Sequence, residues 1–106
     1  MDTRENNLVP PFDNGLSPSQ EERLALLIEE ASEVIHIAAK IQRHGRHSRH
    51  PDTGVGNVEL LERELGDLQF AIRLMMRRGD VSAGAIEGHA FTKRERVKPF
   101  LHHNTI

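Results

Sequence analysis

The 106-residue chain contains no cysteine, no tryptophan and no tyrosine, and it has only four phenylalanines. Without cysteine, neither disulfides nor thiolate metal sites can form. No apolar run approaches the length of a membrane span, and residues 1–5 do not have the composition of a signal peptide. These absences favour a soluble, cytoplasmic protein with no membrane partner.

Strong net charge is also absent, since the formal charge is −2 with seven histidines counted as neutral. A chain without a basic field is not expected to bind nucleic acid polymers. Neither a Walker motif nor a Rossmann glycine fingerprint is present, and no candidate nucleophile stands in a strained turn. A core of this size, poor in aromatic side chains, is often completed by copies of the same chain, so we expect a homo-oligomer.

Apolar residues recur with helical spacing and show no strand pattern of any strength, which predicts an all-α fold. One helical domain is expected over residues 17–99, between an irregular arm at 1–16 and a tail at 100–106. We expect the first two helices to pack antiparallel and two subunits to complete a four-helix core.

The first helix has clear signals at both ends. Ser17 is the expected N-cap and Gln20 closes a capping box. The helix should end near His44, because Gly45 is a natural terminator.

Two further helices are expected. Asn57 can cap the second, which should cover residues 58–78 and stop at Gly79. The third should begin near residue 80 or 82 and end by Pro99, although two glycines weaken it.

Two acidic pairs stand out: Glu30 with Glu33, and Glu64 with Asp67. Each pair is spaced by three residues in a predicted helix, so its carboxylates share a face, and that face also carries apolar residues. Carboxylates on a core-facing stripe need a cationic partner, and facing carboxylates resist ionisation. A divalent ion bound by oxygen ligands, Mg²⁺ or Mn²⁺, meets both needs. The alternative is a structural cluster in which Glu30 and Glu64 pair with basic residues, namely Lys40, Arg63 or Arg73.

Glu29 adds a carboxylate beside the first pair. It is a candidate general base toward a water near the metal, or else an ordinary surface residue.

Residues 45–57 form a basic segment without periodicity, rich in glycine and histidine. His44, His47 and His50 are spaced by three, which raises the alternative of a zinc site, but Gly45 and Pro51 mean that the three need not share a helical face. A second interpretation is a flexible basic loop that binds the charge of a polyphosphate, and a third is a solvated charge run. Basic residues cluster in and before this loop and again on the last helix: Lys40, Arg43, Arg46, Arg49, Lys93, Arg94, Arg96 and Lys98.

The chain resembles the MazG-like all-α nucleoside triphosphate pyrophosphohydrolases. The resemblance rests on EEASE at 29–33 followed by RELGDL at 63–68, and RHG at 43–45 with HP at 50–51 is similar to small phage-encoded members. It covers about residues 20–100, and the two acidic motifs in this order on helices are specific together. If the chain is phage-encoded, the host cytoplasm is its expected location.

The resemblance implies that Glu30, Glu33, Glu64 and Asp67 ligate Mg²⁺ and that Glu29 acts as the base. The family hydrolyses an NTP or dNTP to the monophosphate and pyrophosphate, and its members are dimers or dimers of dimers. Position and charge make Lys40, Arg43 and Lys93 the candidates for phosphate contacts.

Two features depart from the family. The basic loop lengthens the gap between the acidic motifs, which suggests an added substrate lid. No Trp or Tyr can stack on a base, so Phe12, Phe70 or a histidine would have to replace it, and base specificity stays open. Small phage members act on dGTP, which makes a guanine nucleotide the first substrate to test. The alternatives are a phosphoribosyl-ATP pyrophosphatase, with the same fold and chemistry, and a non-catalytic helical module that binds a nucleotide or a partner.

Overall fold

The computed structural model describes residues 13–103 and 106. This part of the chain forms three α-helices, α1 (Pro18–His44), α2 (Asn57–Arg77) and α3 (Ala83–Val97), followed by a 3-10 turn, Lys98–Phe100. The described residues form no β-strand, and the all-α fold expected from the apolar spacing is confirmed. None of their helices is long and apolar enough to cross a membrane.

The chain divides into two compact units, Met1–Ala71 and Ile72–Ile106. The first contains α1, the basic loop and most of α2, and the second contains the end of α2, α3 and the 3-10 turn. The expected arm at 1–16 is described only from residue 13, and residues 13–17 are not helical. Within the expected tail, residues 104 and 105 lie outside the described residues.

Helix α1 begins and ends where its sequence predicts. The Ser17 hydroxyl accepts a hydrogen bond from the Gln20 N–H at 3.1 Å, and the Gln20 side-chain oxygen accepts one from the Ser17 N–H at 2.9 Å. At the other end Gly45 has a φ of 88°, which a side chain would strain, and its N–H donates to the Ile41 carbonyl at 2.7 Å. The capping box and the glycine stop are confirmed.

Helix α2 starts differently from the prediction, because Asn57 does not cap it. Asn57 is only 1% exposed, its Nδ2 donates to the Gly45 carbonyl at 3.0 Å, and its Oδ1 has no hydrogen-bond partner. Its backbone N–H donates to the Ser48 carbonyl at 2.9 Å. Asn57 therefore ties the start of α2 to the end of α1 and to the loop between them.

In the first unit, Ile37 (4% exposed) and Ala71 (1%) are buried, whereas Ile28 (68%), Ile35 (69%) and Phe70 (52%) are exposed. Ile28 and Ile35 are seven residues apart on α1, so they share one face of that helix. Large apolar side chains of α1 and α2 are thus exposed to water.

In the second unit, local contacts define the start of α3 and the pairing of its charged residues. The Ser82 hydroxyl accepts a hydrogen bond from the Ala85 N–H at 3.1 Å and caps α3. Of the two predicted starts of this helix, near residues 80 and 82, the second is confirmed. Met75 is buried. Glu95 pairs with Arg94 at 2.8 Å and with Lys98 at 3.1 Å, so two of the four basic residues at 93–98 are paired with a carboxylate. The Lys98 hydrogen bond is the main cause that lowers the pKa of Glu95.

Candidate metal centre

Three carboxylates meet in the first unit. Glu30 on α1 and Glu64 and Asp67 on α2 each offer an oxygen, and these oxygens all lie within 4.8 Å of one another. Glu30 and Glu64 are half-buried and Asp67 is exposed. We call these three residues the acidic triad. Within residues 13–103 and 106 it is the one group of three or more acidic or histidine side chains with this convergence.

Helix geometry explains how the acidic triad forms. Glu64 and Asp67 are three residues apart, so they project from the same face of α2. The Asn57 side chain meets the Gly45 carbonyl, and Glu30 meets Glu64 and Asp67 further from the loop on both helices. The two contacts therefore follow in opposite order along α1 and α2.

The electrostatics of Glu30 reflect this crowding. Partial burial raises its pKa above the ordinary value, and the nearby charge of Asp67 raises it further. Glu29, Glu64 and Glu33 add smaller effects of the same sign. The protein without a cation therefore holds Glu30 in an environment that disfavours its charged form.

The donor set of the acidic triad fits a hard divalent cation. Carboxylate oxygens are the ligands that Mg²⁺ and Mn²⁺ prefer, and a bound cation would relieve the repulsion that raises the pKa of Glu30. Nothing in the donor set distinguishes these two ions.

The structure brings together three of the four predicted ligands. Glu33 is exposed on α1 and is not part of the acidic triad, although its charge acts on Glu30. Glu29, the predicted base, is also exposed, outside the triad and close enough to influence Glu30. Whether Glu33 and Glu29 act as predicted stays a prediction.

The structural alternative for the acidic pairs finds no support among the described residues. Lys40, Arg63 and Arg73 form no ion pair with Glu30 or Glu64 there. The charges of the acidic triad are thus not neutralised by the basic side chains that the alternative named.

The predicted phosphate-binding residues lie away from the acidic triad along the chain. Lys40 and Arg43 are ten and thirteen residues beyond Glu30 on α1, a rise of about 15 and 20 Å. Lys40 is half-buried and Arg43 is exposed. Lys93 is exposed on α3, in the second unit. Of the proposed base-stacking residues, Phe70 is exposed and Phe12 lies outside the described residues.

The basic loop has a defined hydrogen-bonded form that its sequence did not predict. The His50 N–H donates to the Val55 carbonyl and the Gly54 N–H donates to the His50 carbonyl, both at 2.8 Å. An isolated bridge pairs Arg49 with Gly56. The loop is therefore a tight hairpin-like turn closed against the start of α2.

The histidines do not form a zinc site in the described part of the chain. His44, His47 and His50 do not converge. The His50 Nδ1 accepts hydrogen bonds from the Asp52 N–H at 3.1 Å and the Thr53 N–H at 3.4 Å, so this ring nitrogen is used within the loop.

Two further features were not foreseen: the tie made by Asn57 and a cavity beside the loop that includes Glu59. The position of Asn57 before a helix predicts an N-cap, and nothing in the sequence indicates that its amide reaches back to Gly45. Glu59 looks like an ordinary first-turn carboxylate.

Comparisons of the chain with models of protein families, with curated proteins and with solved structures gave no match.

Proposed function

We propose that this protein is a Mg²⁺-dependent nucleoside triphosphate pyrophosphohydrolase, which converts an NTP or dNTP and water to the monophosphate and pyrophosphate. The observation that carries the proposal is the convergence of Glu30, Glu64 and Asp67 without a neutralising cation among the described residues. The resemblance of residues 29–33 and 63–68 to the acidic motifs of the MazG-like family supports the same activity. A guanine nucleotide is the first substrate to test.

In this proposal the acidic triad and Glu33 hold the metal, Mg²⁺ or alternatively Mn²⁺. A bound cation would supply Lewis-acid chemistry there, polarising the phosphoryl group and making water more acidic. Glu29 accepts the proton of the attacking water, because it is an exposed carboxylate adjacent in sequence to Glu30. Lys40, Arg43 and Lys93 provide positive charge for the phosphates, which offsets the charge that develops as pyrophosphate leaves.

We also propose that two copies of the chain pair through α1 and α2, with a dimer or a dimer of dimers as the active form. The exposed faces with Ile28, Ile35 and Phe70 support this, because a second subunit would cover them.

The decisive variant is Glu64→Gln, which keeps the shape of the side chain and removes one ligand charge. We expect it to abolish Mg²⁺-dependent pyrophosphate release while the protein stays folded. Without metal it should be at least as stable as the wild type, because repulsion within the acidic triad falls. Glu62→Gln is the matched control, since Glu62 is exposed on the same helix and outside the triad. An active Glu64→Gln protein would contradict the metal assignment.

The two alternatives differ from the proposal in turnover. A phosphoribosyl-ATP pyrophosphatase would hydrolyse that compound in preference to ordinary dNTPs. A binding module would show nucleotide affinity with no turnover and little stabilisation by Mg²⁺. The acidic triad supports the enzyme through its match to the acidic motifs of the MazG-like hydrolases, and turnover is the measurement that separates the enzyme from a binding module.

A further inference from the structure

A second charged feature of the first unit lies at the basic loop and the start of α2. It is an open cavity of about 250 Å³, which we call the loop cavity. It is lined by Arg46, His47, Arg49, Gly56, Val58 and Glu59.

Positive charge dominates the lining of the loop cavity. Two arginines and a histidine face one carboxylate, Glu59. Arg46 and His47 have no hydrogen bond or ion pair within the described residues, so their donors are available. Arg49 donates from Nη1 to the Gly54 carbonyl at 2.9 Å, which fixes its guanidinium and leaves its other N–H groups for a ligand.

Hydrogen bonds hold the walls of the loop cavity in place. Asn57 ties the start of α2 to the carbonyls of Gly45 and Ser48, and the Gly54 carbonyl holds Arg49. Gly56 lies beside the Arg49 guanidinium, since a Cβ there would be 4.0 Å from Arg49 Nη1, an ordinary van der Waals distance. Since folding already orders these groups, a ligand would not have to order them.

We propose that the loop cavity binds a phosphate-type anion without a metal ion. Arginine matches the oxygens of a phosphate group through paired N–H donors, and Arg46 and Arg49 supply two such groups. At the start of α2 the Asn57 and Leu60 N–H groups already donate to the Ser48 and Gly56 carbonyls, so the backbone donors left for a ligand are those of Val58 and Glu59. No residue that lines the loop cavity belongs to the acidic triad, and Glu59 is five residues before Glu64 on α2.

The inference does not depend on the proposed enzyme activity, and its test uses no metal. Inorganic phosphate is titrated into ¹⁵N-labelled full-length protein in EDTA at constant ionic strength, and the amide shifts are followed. We expect saturable shifts centred on residues 46–49 and 56–59. Arg46→Ala should weaken binding on the order of tenfold. The control Arg96→Ala removes the same charge from an exposed position on α3 and should leave the affinity unchanged.

Glu59→Gln gives a test of opposite sign, because it removes the one negative side chain of the loop cavity. We expect phosphate to bind about two- to fivefold more tightly to this variant. The absence of saturable shifts in the loop, or equal losses in Arg46→Ala and Arg96→Ala, would overturn the proposal.

A nucleoside monophosphate titrated in the same way distinguishes two sources of the phosphate group. Tighter binding than inorganic phosphate assigns the loop cavity to a nucleotide, and equal binding assigns it to free phosphate. Either result supports the anion site, whereas shifts only at the acidic triad would contradict it.

Discussion

The acidic triad and the loop cavity are two charged regions of the same unit, and they are built in opposite ways. The acidic triad brings charges of one sign together on two helices, and partial burial and the charge of Asp67 raise the pKa of Glu30. The loop cavity keeps its basic side chains on a turn stabilised by backbone and side-chain hydrogen bonds. In our two proposals, a cation lowers the energy of the first region and an anion neutralises the second.

The two regions also differ in what positions their side chains. Regular helix geometry places the carboxylates, and no hydrogen bond among the described residues joins Glu30, Glu64 and Asp67 to one another or to a cation. In the loop, single contacts such as that of the Asn57 side chain to the Gly45 carbonyl decide the structure. Substitutions in the acidic triad should therefore change mainly the negative charge that these residues present. Substitutions in the loop should change mainly the free energy of unfolding.

Asn57→Asp should have the largest effect on stability. It would replace the buried Nδ2 donor by a carboxylate that faces the Gly45 carbonyl without a partner. We expect a loss of about 3 kcal/mol in the free energy of unfolding, measured by urea denaturation. Asn57→Ala should cost less, about 1–2 kcal/mol, because it loses the hydrogen bond but buries no charge. Equal stability of Asn57→Asp and the wild type would show that this tie does not hold the loop.

Alanine at two glycines should have effects of opposite sign. Gly66 lies in α2 between Glu64 and Asp67, and Gly54 lies in the loop with a φ of 72°; a Cβ at either meets nothing within 4 Å. Gly66→Ala should therefore stabilise the protein by about 0.5–1 kcal/mol through helix propensity. Gly54→Ala should destabilise it by about 1–2 kcal/mol through backbone strain alone.

Thermal denaturation of both glycine variants measures this difference. Destabilisation by Gly66→Ala would indicate that another surface packs against α2 at the acidic motif. A neutral Gly54→Ala variant would mean that the turn tolerates a different backbone conformation.

The smallest effect concerns pH, because Glu30 is half-exposed and water screens its interactions. Its folded-state pKa is raised, so the folded protein binds this proton more tightly than the unfolded chain. In EDTA, stability should fall as the pH rises from the ordinary Glu value of 4.5 through the raised pKa of Glu30. Glu30→Gln should flatten this part of the pH profile.

Saturating Mg²⁺ should reverse the trend, because a metal binds the ionised carboxylates. The measurement is the melting temperature against pH, with EDTA and with Mg²⁺. Identical profiles for the wild type and Glu30→Gln would show that repulsion at Glu30 is negligible.

The sequence was informative wherever local rules suffice. The capping box at Ser17, the stop at Gly45 and the shared face of Glu64 and Asp67 follow from helix geometry alone, and the structure agrees. Contacts between distant residues could not be predicted in this way. The amide of Asn57 bonds to a carbonyl twelve residues away, and Glu33 is outside the group that Glu30 joins. These depend on how one helix is rotated and placed against the other, which periodicity does not specify.

The most direct test of the central claim is pyrophosphate release from each common NTP and dNTP, measured with Mg²⁺ and with EDTA. We predict release from one or a few of these nucleotides, lost in EDTA and in Glu64→Gln, and retained in Glu62→Gln. No release from any nucleotide, together with no rise in melting temperature on adding Mg²⁺, would contradict an enzyme with a metal at the acidic triad.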